Sequence, residues 1–337
     1  MTTNGPSNTT KVGSAAVIAG TLPAHKIGIG RMLRLSGTGI GLVLLIAIFG
    51  ALRPTVFLTV GNFVNILEQI SILAIIAAVQ TVVMVVGDFD LSVGSTASLG
   101  GALTAVLLMA GWSIPSAVAM ALIAGALIGA VNGALVSYLK LSAFIATLAT
   151  MTSVTGLAFI ITNGANIFGF TKDFLPLGQG RILGVPVPVY VAVVVSLLIW
   201  ALLRFTTIGR RWRAVGGNAE VARLSGIRVD WVRFIAFVIA GLGSALAGII
   251  LVSRLASATA QAGDSQMMLA VAAVFLGMTM SSYGGANIGG TLVGVAILGV
   301  LTNGLNIVGV NTYVQQLLTG FIIVAAVGLS RLGQNRR

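Results

Sequence analysis

Long apolar runs alternate with short polar breaks along the chain. They fall at about 36–52, 66–86, 91–110, 115–139, 143–162, 187–204, 234–253, 267–282, 287–308 and 313–330. A hydrocarbon core about 30 Å thick needs roughly 20 apolar residues per helical crossing, so most of these runs have the length of a transmembrane helix. The pattern predicts an all-α polytopic membrane protein with about ten transmembrane helices. The run at 267–282 is short, and the run at 91–110 opens beside Asp90, Ser92 and Gly94. Either reads as a crossing or as a broken, re-entrant helix held inside the bundle, which puts the count at eight to ten. Composition agrees: 57% of the 337 residues are apolar and 8% charged, against about 25% charged in a soluble domain. A soluble enzyme is excluded, and the 44 glycines fit helices that approach closely through small residues.

Charge orients the spans. The net charge of +12 comes from only 19 Lys and Arg, and they sit at loop ends. With ten spans and an internal N-terminus, fifteen basic residues face the cytoplasm and four, Arg53, Lys172, Arg181 and Arg254, face outside; the asymmetry obeys the positive-inside rule. The chain then divides into a cytoplasmic tail (1–35), a first transmembrane half (36–204), a hydrophilic cytoplasmic loop (205–233), a second half (234–330) and a cytoplasmic C-terminus (331–337). Within the tail the apolar stretch Ala15 to Leu22 is too short to cross and lacks the features of a cleaved signal, so the tail is read as retained. The longest external loop runs from Asn163 to Pro186. There is no Cys, which removes disulfide frameworks and thiolate sites, and the single His25 lies in the tail.

The two halves share a pattern. Residues 125–145, GALIGAVNGALVSYLKLSAFI, and 294–314, GVAILGVLTNGLNIVGVNTYV, each carry Asn-Gly within an apolar run, then an aromatic residue, Phe144 or Tyr313, about ten positions on. In the ten-span topology one copy runs inward and the other outward, as two inverted-topology halves would.

The loop FTTIGRRWRAVGGNAEVARLSGIRVDW, residues 205–231, is the one long hydrophilic stretch between strong spans. Gly217-Asn218 supplies a helix cap, Glu220 an acid in the first turn, Arg223 a base in the last, and Gly226 a left-handed C′ position. Val221 and Leu224 would share a face. Two turns of helix are marginal alone and gain stability by docking on something else; the competing reading is a solvated, basic loop.

Carboxylates at membrane depth are costly, so Glu68 and the Asp88/Asp90 pair are candidates for the solute path. Against that, Asp90 suits a cap on the third span and Glu68 an interfacial site. Ser92, Gln80, Asn132, Asn303, Asn306, Gln315 and Gln316 suit either interhelical hydrogen bonds or a hydrated path.

These segments resemble a known family. GRRWRAVGGNAEVARLSGIRVDWVR is similar to the cytoplasmic coupling segment of permease subunits of bacterial ribose-type sugar importers of the ATP-binding-cassette (ABC) class. Gly209, Ala214, Gly216, Asn218, Ala222, Ser225, Gly226 and Ile227 occupy its pattern positions, and Val221 stands where Ala is common. GDFDLSVGSTASLGG, residues 87–101, and LAVAAVFLGMTMSSYGGANIGGTLVGVAILGVLTNGLN resemble two further segments of that family. Asp88 and Met278 depart from it, each standing where a Gly is common. The branched-chain amino acid permeases are a sister group; the intact Asp-Leu-Ser-Val-Gly-Ser stretch favours sugars or related polyols.

The resemblance implies an inner-membrane permease that works by alternating access, with a second permease copy, two ATP-binding cassette subunits and an extracytoplasmic solute-binding protein as partners. Gly209, Ala214, Gly216, Gly217, Asn218, Glu220, Ala222, Arg223, Leu224 and Gly226 would couple it to the ATPase. No G-x-x-x-x-G-K-[ST], H-E-x-x-H or G-x-S-x-G sequence occurs, so no cofactor is expected in this chain and ATP would be bound by the partner subunits. The alternative of another class is an ion- or proton-coupled secondary transporter using Asp88, Asp90 or Glu68, with a passive channel third.

Overall fold

A computed structural model describes residues 1–2, 29–280, 285–311, 313–318, 320–321 and 324, with side chains in the first helix described from residue 39. The main helices there are α1 (Ile29–Leu52), α2 (Pro54–Phe57), α3 (Val60–Val85), α4 (Val93–Met109), α5 (Ile114–Ser137), α6 (Ala143–Thr162), α7 (Pro176–Gln179), α8 (Val187–Phe205), α9 (Thr207–Gly217), α10 (Ala219–Leu224), α11 (Val229–Leu255), α12 (Asp264–Thr279) and α13 (Ile288–Val308). Six of them, α3, α5, α6, α8, α11 and α13, are long and apolar enough to cross a membrane, while Gly39–Leu52, α4 and α12 are shorter apolar helices. Of the expected run at 313–330, residues 313–318, 320–321 and 324 are described and helical; the rest of it, residues 3–28 of the tail and the C-terminus fall outside the described residues. Two short ladders, Ile167–Phe168 with Ser257–Ala258 and Arg181–Ile182 with Val185–Pro186, pin the segment between α6 and α8.

Several helices begin earlier than hydropathy suggests. α1 starts at Ile29, α3 at Val60 and α11 at Val229, because a helix continues through a polar first turn that an apolar run does not register. The start of α3 is fixed by Thr59, whose hydroxyl accepts the Asn62 N–H at 3.2 Å as an N-cap.

Helices α3 and α11 form the centre of the bundle and run antiparallel. Glycines let them touch: a Cβ on Gly243 of α11 would lie 2.3 Å from Val79 Cγ1 of α3. The same device joins α11 to α5, where Gly129 meets the Phe237 carbonyl, and to α4, where Gly248 meets the Ala97 carbonyl. Close backbone approach of this kind is how helices associate where lipid offers no hydrophobic driving force. An ion pair clamps each end of the α3–α11 contact. Glu68 Oε1 meets Arg254 Nε at 2.9 Å, and Asp88, three residues past α3, meets Arg233 Nε at 3.0 Å. Arg233 and Arg254 stand 21 positions apart on α11, about 31 Å of helix, close to the thickness of a hydrocarbon core.

The internal repeat is visible in the element boundaries. α4 and α12 begin 171 residues apart, at Val93 and Asp264, and α5 and α13 end 171 apart, at Ser137 and Val308. α4 and α12 follow turns on opposite faces of the bundle, since α3 and α11 are antiparallel, yet their N-termini meet. A Cβ on Gly94 would lie 3.0 Å from the Gly263 carbonyl, and Ser98 Oγ accepts the Gly263 N–H at 2.9 Å. Both short helices therefore start inside the bundle, preceded by non-helical backbone that is partly buried in protein, the setting in which membranes tolerate it.

Candidate functional site

The hydrophilic loop folds as two helices, not one. α9 was not expected from the sequence, which placed one short helix after Gly217-Asn218, although Ile208, Trp212 and Val215 recur at helical spacing. Thr206 caps it by accepting the Gly209 N–H at 3.1 Å. Trp212 is fully buried and its indole donates to the Val232 carbonyl at 2.8 Å, tying α9 to the first turn of α11. Gly209 allows α9 to fold back on α8, since a Cβ there would lie 2.2 Å from the Leu202 carbonyl. Gly216 brings the other end of α9 onto the end of α3, where a Cβ would lie 1.9 Å from the Val85 carbonyl. Ala214 and Gly217 are exposed.

α10 has the expected ends. Asn218 Oδ1 accepts the N–H groups of Glu220 and Val221 at 3.0 and 3.1 Å, and Glu220 pairs with Arg223 at 3.0 Å on the solvent side. Gly226 has φ +81°; its N–H donates to the Arg223 carbonyl and the Ile227 N–H to the Ala222 carbonyl, which is a Schellman motif. The apolar edge is sharply divided. Leu224 is 81% exposed and Val221 57%, whereas Ala222 is 3% exposed in a cluster with Trp212, Val215 and Val232. Ala222, one of the expected coupling residues, thus packs against the chain's own α9 and α11, and the exposed side of α10 is formed by Val221 and Leu224.

The candidate path residues separate into distinct settings. Glu68 and Asp88 are each held by an arginine at opposite ends of α3. Asp88 is buried, which pushes its carboxyl up from the ordinary carboxylate range, and the Arg233 guanidinium opposes that shift. Asp90 Oδ1 accepts the Ser92 N–H at 2.8 Å and the Ser92 hydroxyl at 2.7 Å, and Asn132 of α5 donates to Ser92 Oγ at 2.7 Å. The N-cap position of α4 belongs to Ser92, so Asp90 satisfies a backbone donor ahead of the helix instead of capping it. Asn303 and Asn306 lie one turn apart on α13, where Asn306 Oδ1 accepts from Gln315 at 2.7 Å. Gln80 is fully buried on α3, and among the described residues neither of its amide atoms has a hydrogen-bond partner. A groove of about 480 Å³ between α3, α8 and α13 is lined by apolar side chains such as Ile70, Val193 and Leu292, with Ser71 and Ser196 the only hydroxyls. Sequence reasoning missed Arg233 and Arg254, the partners of the acids, and Trp212, the anchor of α9.

The model for the family described as branched-chain amino acid transport system / permease component matches residues 62–327. The ribose import permease protein RbsC of Escherichia coli (strain K12) is 44% identical over 292 residues, covering 86% of this chain and 91% of that protein. The D-allose transport system permease protein AlsC of the same strain is 37% identical over 298 residues, covering 88% and 91%. The L-arabinose ABC transporter permease protein AraH of Azospirillum brasilense is 33% identical over 302 residues, covering 89% of each. No solved structure matches the chain. The helical bundle, the loop built on it and these likenesses converge: the chain belongs to the branched-chain amino acid transport system permease family and is a membrane-spanning permease subunit of an ABC importer, a transport component and not an enzyme.

Proposed function

We propose that this permease moves a monosaccharide or related polyol across the bacterial inner membrane by alternating access. Its relatives are named as permeases for ribose, D-allose and L-arabinose. In this reading two permease copies form the path, two ATP-binding cassette subunits dock on the loop face, and a solute-binding protein delivers from the opposite side. Both termini and the loop face the cytoplasm, in keeping with the distribution of Lys and Arg. ATP is held by the cassettes, and this chain supplies the docking element and the walls of the path.

The observation that carries the docking role is α10 itself. It is a six-residue helix with a complete N-cap and Schellman end, and its Leu224 is 81% exposed on a polar loop away from the lipid-facing helices. A leucine held on a rigid turn and left exposed by the described residues suits a groove on another protein. The α9 helix continues from it to the Val85 carbonyl, so a push on α10 reaches the end of α3 through backbone contact. Of the acids that a proton-coupled carrier could use, Glu68 and Asp88 are held in ion pairs and Asp90 accepts two hydrogen bonds from Ser92.

The test is Leu224→Asp, with co-purification of the cognate ATPase and solute-stimulated ATP hydrolysis as readouts. The variant should insert in the membrane normally and lose both. Normal values for both would remove the docking role.

A further inference from the structure

The loop between α3 and α4 occupies a junction. Val85, at the end of α3, receives Gly216 of α9 on its carbonyl, and Gly87, at φ +93°, places its Cβ position 3.7 Å from the Gly216 Cα. Asp88 follows at once. Its Oδ1 accepts a hydrogen bond from Arg233 Nη2 at 3.2 Å, and its Oδ2 lies 3.0 Å from Nε as an ion-pair contact. Arg233 stands one turn into α11, directly downstream of the α10 Schellman turn. Asp90, two residues past Asp88, begins the hydrogen-bond set with Ser92 and Asn132 that precedes α4. The loop thus meets the α9–α10 segment on one side and the start of α4 on the other.

On the remaining flank the loop is not packed. A pocket of about 330 Å³ opens there, lined by Gly87, Asp88, Phe89, Phe144 and Arg233 among others. Val86 packs against Val232 and Ala236 of α11, but past it close packing does not fix the open flank, and the charge pair is what holds Asp88 to α11 there. A charge-assisted carboxylate–guanidinium hydrogen bond is directional as well as strong, and so transmits orientation.

We propose that Asp88 and Arg233 are positioning residues for coupling: their ion pair makes the α3–α4 loop move with the first turn of α11, so that displacement of the α9–α10 segment reaches the inner start of α4. Neither residue needs to touch the solute. The proposal rests on the docking reading of α10.

The experiment uses the whole complex reconstituted in vesicles with D-ribose as the probe, comparing Asp88→Asn, Arg233→Gln and the exchange Asp88→Arg/Arg233→Asp. The readout is the ratio of solute moved to ATP hydrolysed, which does not depend on how much protein folds. The single variants should lower that ratio at least about fivefold, the bottom of the usual range for coupling between sites, and the exchange should restore most of it. Unchanged ratios in both singles would overturn the proposal, as would an exchange variant that inserts but stays as uncoupled as the singles. If the singles do not accumulate in the membrane, the exchange decides alone, with Asp88→Glu, which keeps the charge, expected to stay coupled. Leu224→Asp measured in parallel separates the two readings. Loss of ATPase binding there with normal ratios in Asp88→Asn defeats only this proposal, whereas normal ATPase binding in Leu224→Asp defeats the docking role beneath it.

Discussion

Adjacent glycines at the end of α9 should respond in opposite ways to the same substitution. A Cβ on Gly216 would sit 1.9 Å from the Val85 carbonyl oxygen, whereas a Cβ on Gly217 meets nothing within 4 Å. Ordinary contact begins near 3.4 Å, so Gly216→Ala must drive α9 and the end of α3 apart by about 1.5 Å, and neither backbone can rotate away as a side chain could. Overpacking of this kind costs about 1–3 kcal/mol, here at the upper end because the obstacle is a carbonyl. Against it stands the gain from replacing a helical glycine, about 0.5–1 kcal/mol, which leaves a net loss of about 2 kcal/mol at 216 and a small gain or no change at 217. Thermal unfolding of the purified permease in detergent reads the stability difference, and coupled transport in vesicles reads whether the α9–α3 contact carries motion. Gly216→Ala should melt below the parent and import poorly, while Gly217→Ala should match or exceed it on both counts. Equal behaviour of the two variants would show that α9 does not rest on α3 as described.

Two further expectations follow. Asp90→Asn keeps an acceptor for the Ser92 N–H and should retain assembly and much of the transport, whereas Asp90→Leu strands that buried donor at a cost of about 1–3 kcal/mol and should lower thermal stability; identical losses in both would remove the hydrogen-bonding role. In this Cys-free chain, Ser225→Cys should resist a membrane-impermeant thiol reagent in intact cells while Leu183→Cys, 95% exposed on the hairpin before α8, should react, and the reverse pattern would invert the topology.

The spans were legible because twenty apolar residues in a row have few other fates, and the ends of α10 because Asn218 and Gly226 are chemically suited to a cap and to a left-handed turn. The side on which α10 packs was not. A two-turn helix with alternating small and large apolar residues gives no phase until its neighbour is known, and the neighbour, Trp212, lay in a segment where no helix was expected. The glycines of that segment proved to mark close backbone approach at Leu202 and Val85, which sequence alone cannot tell from flexibility. Asp88 looked like a stray carboxylate beside Asp90; its partner lies 145 residues downstream, and no local pattern announces a pair at that separation. The re-entrant starts of α4 and α12 were foreshadowed by short length and early polar residues, but only their contact at Gly94 and Gly263 shows that both begin within the bundle.

The paired clamps on α3 and α11 carry a mechanical consequence. Neither helix can slip along the other by one turn, about 5.4 Å, without breaking Glu68–Arg254 and Asp88–Arg233 together, and the Gly243–Val79 interlock between them resists rotation. The two helices act as a fixed axle through the middle of the subunit. In the proposed alternating-access cycle, opening one side of the path and closing the other would then be done by swinging what is hung on that axle, the peripheral helices such as α6 and α8, or by tilting the axle as a whole against the proposed second copy. Sliding one half of the repeat past the other is the stroke this architecture forbids.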